Sequence, residues 1–256
     1  MKDYQIYEQP INKRIRSMMR LDLLFDQINY FARAKNVWDN TNAVNVLNDI
    51  LEFTNRTDIK SEVIKELERQ QNHVQGLLDQ PGVNEKKSLK LIEEYKSLNN
   101  ELHSINGAIG HHLHQNIILN AAKQKSILPG SSGNFDSPLY IQWINQDSGS
   151  RNQQLADWLS PFETLNSAIK LALKTIRNSG DNVEHVADNG FYQDNLDLNR
   201  PYQMIRVAIP KAATYFPEIS AGKHRFSIRF LQSTDFSSNP EQCDDDIHFI
   251  LCNCCF

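Results

Sequence analysis

Lys223-His-Arg-Phe-Ser-Ile-Arg-Phe230 alternates without a break: Phe226, Ile228 and Phe230 share one parity, and Arg225, Ser227 and Arg229 the other. A strand sends residues i and i+2 to the same face. The segment therefore predicts a strand over Lys223–Leu231 with an apolar core face. The opposite face is a row of Lys223, Arg225 and Arg229 with no acid in it. Core on one side and cationic on the other is the pattern of a sheet that binds something anionic. It is equally the pattern of a solvated strand whose charges keep an edge from aggregating. The chain offers no comparable case for catalysis.

Outward from that strand, period two persists. Ile205, Val207 and Ile209 alternate with Met204, Arg206 and Ala208, and Ile247, Phe249 and Leu251 repeat the pattern near the end. Asn189-Gly190 is a turn signal, with Phe191 and Tyr192 of the Asn189–Asn195 stretch assigned to packing. Before residue 180 the spacing is three and four. Helices are predicted from Ile11 to Phe31, over 38–53, from an N-cap at Thr57 to Leu78, from Leu89 to Ile105, and more weakly over 111–126. A short helix is predicted around 151–159. Ser160, Pro161 and Glu163 read as a capping box opening a further helix over 161–178. Residues 129–138 are a loop by composition. Tyr4–Glu8 reads as a short strand that returns to the sheet. Helices first and strands after give an α+β class: a helical domain over 11–150, and an antiparallel β-rich domain over 1–10 and 151–256 packed with helix 161–178.

The chain has 256 residues, 40% hydrophobic and 23% charged, with a net charge of -4. These are ordinary values for a globular protein and argue against a general nucleic-acid binder. The sum conceals a basic stretch (Lys13, Arg14, Arg16 and Arg20, with no acid over 11–20) and an acidic end with Asp235, Glu241 and Asp244–Asp246. No apolar run approaches the ~20 residues of a membrane span, and Met-Lys-Asp-Tyr-Gln-Ile lacks an apolar leader core. A cytoplasmic location is expected.

Arg16 and Arg20, four apart, share a helix face, either as a binding pair or bridged to Asp22 or Asp26. Lys65–Gln71 is polar on most sides around Leu67. It reads as an exposed helix, or as a dimer or domain interface. Cys243, His248, Cys252, Cys254 and Cys255 crowd the end at spacings poor for zinc, and read as reduced thiols on a frayed terminus. His111, His112 and His114 hold no i, i+4 pair. No metal or cofactor is expected. Phosphate-loop, nucleophile-elbow and His-Glu-x-x-His signatures are absent, so no enzymatic activity is expected.

Several segments together resemble the ZapD family of bacterial cell-division proteins. They are Tyr7-Glu-Gln-Pro10 with Arg16 and Arg20, Lys65-Glu-Leu-Glu-Arg-Gln-Gln71, Pro81-Gly-Val83, Leu128-Pro-Gly130 with Phe135-Asp136 and Pro138, Asn189–Asn195, and Tyr215–Phe230. The resemblance implies a homodimer that binds the C-terminal segment of FtsZ, the tubulin-like GTPase, bundles its filaments and is recruited to the midcell division site. It implies basic contacts at Arg16, Arg20, Arg56, Lys223, Arg225 and Arg229, with Arg69 also at a basic family position. Where arginines are expected near 111–118, this chain has histidines. The alternative is nucleic-acid binding through the same face, set against by the absence of stacking aromatics beside the basic row, since Phe226 and Phe230 point away.

Overall fold

A computed structural model describes residues 3–56, 58–78, 80–127, 137–233 and 237–256. The chain groups into two compact units, one made of the chain up to Ser17 with Leu173–Phe256, the other of Met18–Ala172. The class is α+β.

The first unit is built on two antiparallel sheets. Sheet A joins β1 (Tyr4–Pro10), β4 (Tyr202–Pro210), β8 (Ile247–Cys255) and β2 (Val183–Ala187) in the order β1-β4-β8-β2. The N-terminal strand thus joins the sheet, pairing Tyr4 to Pro10 with Pro210 to Met204. Pro10 ends an edge strand, where its missing N–H costs nothing. Sheet B runs β3 (Phe191–Asn195), β6 (Arg225–Gln232), β5 (Tyr215–Ala221), with the short β7 (Glu241–Gln242) also paired to β6. Ile205, Val207, Ile209, Phe249 and Leu251 from sheet A and Phe226, Ile228 and Phe230 from sheet B form one buried cluster. The alternation in β6 thus does what its sequence predicts on the apolar side.

The step from β2 to β3 turns at Asn189-Gly190. Both residues take positive φ, 49° and 68°, and Phe191 N–H donates to Asp188 O at 3.0 Å. A Cβ on Gly190 would lie 2.6 Å from Cys243 O, so the position admits no side chain. Tyr192 packs against Phe226 and Phe249 as expected, whereas Phe191 is exposed. The acidic end is not a loose tail, because the Asn189 N–H donates to Asp246 Oδ1 at 3.0 Å and strand β8 follows. Asp235 lies outside the described residues.

The frayed-terminus reading of the cysteines is overturned. β8 is hydrogen-bonded on both sides, to β4 and β2, and Cys243, Cys252 and Cys254 are buried. Cys252 and Cys254 share a face with sulfurs 3.7 Å apart. The hydrogen bond shared with Cys254, and Arg206 nearby, bring Cys252 down to about 7 despite its burial. The same hydrogen bond, with burial, pushes Cys254 up. Serine at Cys254, which is 0% exposed, exchanges a soft sulfur for a hydroxyl needing a stronger partner. Cys254→Ser is expected to cost about 1–3 kcal/mol, read as a lower urea midpoint with unchanged slope. An unchanged midpoint would return these thiols to the periphery.

Beside them, Glu8 accepts from Arg177 Nε at 3.0 Å and Arg206 Nε at 3.0 Å, and Arg206 Nη1 donates to Arg177 O at 2.9 Å. One carboxylate between two half-buried guanidinium groups ties β1, β4 and the end of the last helix together. Charge-assisted pairs of this kind are stronger than surface pairs.

The second unit is helical: most of α1 (Lys13–Phe31), then α2 (Val37–Arg56), α3 (Ile59–Gly76), α4 (Glu85–Ser104), a 3-10 turn over His111–Gln115, α5 (Ile117–Ile127), α6 (Pro138–Ile144), α7 (Ser148–Leu159) and most of α8 (Glu163–Arg177). Thr57, expected to cap α3, lies outside the described residues. The cap is Asp58, which accepts from Ser61 N–H at 3.3 Å. The expected loop at 129–138 and the segments at 128–136 also fall outside them, apart from Ser137 and Pro138 at the start of α6. The Ser160 capping box does not form. Ser160 has helical φ and ψ, its hydroxyl donates to Asp157 O at 2.9 Å, and Ser160–Phe162 is a 3-10 turn leading from α7 into α8.

Lys65–Gln71 is not simply an exposed face. Glu66 and Gln70 are fully buried. The Gln70 amide donates to Glu66 Oε1 at 2.8 Å and to Ala172 O at 3.2 Å, and the Tyr95 hydroxyl donates to Gln70 Oε1 at 2.9 Å. Arg69 closes the network on Glu66. Buried polar groups persist where they are mutually satisfied, and here they join α3, α4 and α8.

Candidate partner-binding face

Hydrogen bonding in sheet B fixes which side chains share its solvent face. β6 pairs Arg229 with Phe191 of β3 and with Glu218 of β5, and Ser227 with Gln193 and Ser220. Arg225 pairs with Asn195, and the Gly222 N–H donates to Arg225 O at 3.0 Å, closing the β5–β6 hairpin. Residues paired across an antiparallel ladder lie on the same side of the sheet. The solvent face therefore carries Phe191, Gln193 and Asn195, then Arg225, Ser227, Arg229 and Leu231, then Phe216, Glu218 and Ser220.

Three features of that face differ from the sequence reading. Strand β6 begins at Arg225, so Lys223 is not in the row but exposed in the hairpin turn before it. The face also contains an acid, because Arg229 Nη2 lies 3.0 Å from Glu218 Oε2, with the two side chains 56% and 54% exposed. Finally, an aromatic does stand beside the basic row, since Phe191, 41% exposed, is the cross-strand partner of Arg229. Sequence periodicity within one strand is blind to all three. The signal for Glu218 was present in the short Gly222-Lys223-His224 link. Reading Tyr215–Ala221 as the hairpin partner of β6 fixes the register and sets Glu218 opposite Arg229.

Arg225 is exposed and faces no carboxylate on either neighbouring strand. A recess of about 360 Å³ opens beside it, lined by Gln193, Ser220, Gly222, Arg225 and Ser227 among others. The short side chains at 220, 222 and 227 let the sheet surface dip there. A guanidinium, hydroxyls and an amide around one depression make a donor-rich seat suited to a carboxylate.

The remaining basic residues are on helices. Arg16 and Arg20 are both exposed on α1. Arg16 Nη2 reaches Pro10 O at 3.5 Å, and Asp26, one of the two acids considered for bridging, is held instead by Lys170 at 2.8 Å. Arg56 ends α2 and pairs with Glu52 at 2.7 Å with its own side chain 75% exposed, a contact of small energetic weight. Arg69 is engaged with Glu66. His111 and His114 stack edge to face at 6.0 Å, and burial, with His111 and Lys123 nearby, pushes His114 down. Among the described residues no cluster of His, Cys, Asp and Glu could hold a metal ion, and no helix is long and apolar enough to cross a membrane.

Comparison with known proteins matches this chain to a family. A family model described as ZapD, cell division protein, matches residues 19–229. Cell division protein ZapD of Methylococcus capsulatus is 34% identical over 254 residues, 99% of either chain. The protein of that name from Bordetella petrii is 36% identical over 249 residues, 97% of this chain and 98% of its own. That from Nitrosomonas eutropha is 33% identical over 248 residues, 97% of this chain and 98% of its own. With a family match across most of its length and relatives a third identical from end to end, the chain belongs to the ZapD family of cell-division proteins.

Proposed function

We propose that this cell-division protein binds the C-terminal segment of FtsZ and, as a homodimer, cross-links FtsZ filaments at the midcell division site in the cytoplasm. The observation that carries the reading is Arg225, exposed beside a donor-lined recess with no acid opposite it, on a sheet whose other face is core. A tail with acidic and apolar residues finds there a cation, hydroxyl and amide donors, and the exposed ring of Phe191. Lys223 and Arg229 extend the positive field, and Arg16, Arg20 and Arg56 are further candidate contacts. Bundling needs two equivalent faces, which a two-fold dimer supplies, and a filament offers many tails at high local concentration. The proposed role is binding rather than catalysis.

Size-exclusion with light scattering tests the dimer and the contact together. The protein mixed with a labelled FtsZ C-terminal peptide is expected to elute at twice the 29.5 kDa chain mass with one peptide per chain. Elution as a monomer, or without label at saturating peptide, would refute the respective half of the proposal.

A further inference from the structure

The solvent face of sheet B is divided along β6. At one end Arg225 stands beside the recess floored by Ser220, Gly222 and Ser227. At the other, Arg229 is flanked by Phe191 and neutralised by Glu218 at 3.0 Å. Next to it Leu231 pairs with Phe216, both half-buried on the same side of the sheet. One end is therefore charged and donor-rich, and the other is apolar with its cation already paired. Arg225 and Arg229 are four residues apart on a strand, about 13 Å at ~3.3 Å per residue.

We infer that this face reads an extended acidic peptide at two points about four residues apart: a carboxylate enters the recess at Arg225, an apolar side chain lies on Phe191, Leu231 and Phe216, and Glu218 excludes a second carboxylate from the apolar end. This rests on the reading of sheet B as the peptide-binding face and adds to it the order of side chains the face accepts. The argument for Glu218 is one of competition. A peptide carboxylate approaching Arg229 must displace an oxygen already 3.0 Å away and then remain beside that displaced charge. Like charges side by side are disfavoured, and unfavourable juxtapositions of this kind set specificity. At Arg225 no such competitor exists on the neighbouring strands. Spacing and charge order on the peptide then matter, not net charge alone.

The test uses a labelled FtsZ C-terminal peptide and a series in which each non-acidic residue in turn is replaced by glutamate, titrated against the wild-type protein, Glu218→Gln and Arg225→Ala. For wild type, glutamate at the position over the apolar end is expected to weaken binding by about tenfold or more. In Glu218→Gln, which keeps the shape and frees Arg229, the same peptide is expected to bind within about twofold of the parent or more tightly. Arg225→Ala is expected to weaken every peptide by about tenfold. Should Glu218→Gln melt abnormally, Glu218→Ser tests the same loss of charge. If the parent peptide binds wild type and depends on Arg225, but the glutamate profile is unchanged when Glu218 is neutralised, the two-point inference is overturned while the face itself stands. If the parent peptide binds Arg225→Ala as well as wild type, or binds neither, the reading of the face fails and the inference with it.

Discussion

Replacing Arg151 with methionine is expected to cost about 3–5 kcal/mol of stability, a fall in melting temperature of roughly 10 °C for a chain of this size. The residue lies in the first turn of α7 and is 4% exposed. Among the described residues its guanidinium pairs with no carboxylate and is satisfied by amide and carbonyl oxygens: Asn40 Oδ1 at 2.7 Å, Ile144 O at 3.1 Å, Lys35 O at 3.0 Å, and Gln146 O. Ile144 ends α6, and Lys35 lies in the link between α1 and α2. Carbonyls at a helix C-terminus carry partial negative charge and lack intrahelical partners, so a buried cation is the natural group to collect them. Asn40, itself fully buried, donates back to Ala34 O at 3.2 Å, and the two side chains together fix that link. Methionine restores volume but leaves these oxygens dry and unpaired. Lysine at 151 is expected to recover little, because a single ammonium cannot span a fan of oxygens as the guanidinium does. Thermal melts of the two variants check this, and a methionine variant within 1 °C of wild type would show that water or local rearrangement replaces the network.

The double change Arg225→Glu/Arg229→Glu is expected to leave the fold intact and to remove binding of the FtsZ tail. Both side chains are on the solvent face. The ion pair it breaks, Arg229–Glu218, is more than half exposed on both sides, and such pairs carry about 0–1 kcal/mol. Loss of a charged contact to the peptide, with repulsion added, is expected to cost roughly 2–5 kcal/mol of binding. The control is Ile228→Asp. Ile228 is 0% exposed between the sheets, and an unpaired charge there destabilises the β unit itself. Peptide titrations beside melts separate the cases. A double variant that melts normally and binds with unchanged affinity would move the site from sheet B to the Arg16/Arg20 face of α1.

What the sequence makes legible is local order, and what it hides is pairing between distant segments. Phe226, Ile228 and Phe230 announce β6 because a half-buried strand writes its two faces into alternate residues. Asn189-Gly190 announces its turn because few residue pairs tolerate two positive φ values. The edge strands β3 and β5 contain Gln193, Asp194, Asn195, Pro217 and Glu218, residue types poor in intrinsic strand preference, and are held by pairing to β6. α6 has seven residues, too few for a helical period to show. The capping box at Ser160 fails because α7 runs on through a 3-10 turn, a packing outcome that residue types alone do not encode. Glu66 and Gln70 look like surface residues until Tyr95 and Ala172, remote in sequence, are brought to them. Cys252 and Cys254 look terminal until β8 is seen paired on both sides. At the candidate face the same division holds: Arg225 and Arg229 are readable within one strand, while Glu218, Phe191 and the recess depend on the register of three.

The central claim, that the chain engages FtsZ through its C-terminal segment and joins filaments, is tested most directly by co-sedimentation. FtsZ polymerised with GTP is spun at low speed, at which single filaments stay in the supernatant and bundles pellet. The protein is expected to bring full-length FtsZ into the pellet and to co-pellet with it, and to do neither with FtsZ lacking its C-terminal segment. Equal pelleting of the truncated FtsZ would contradict the account, as would supernatants unchanged by the protein with full-length FtsZ.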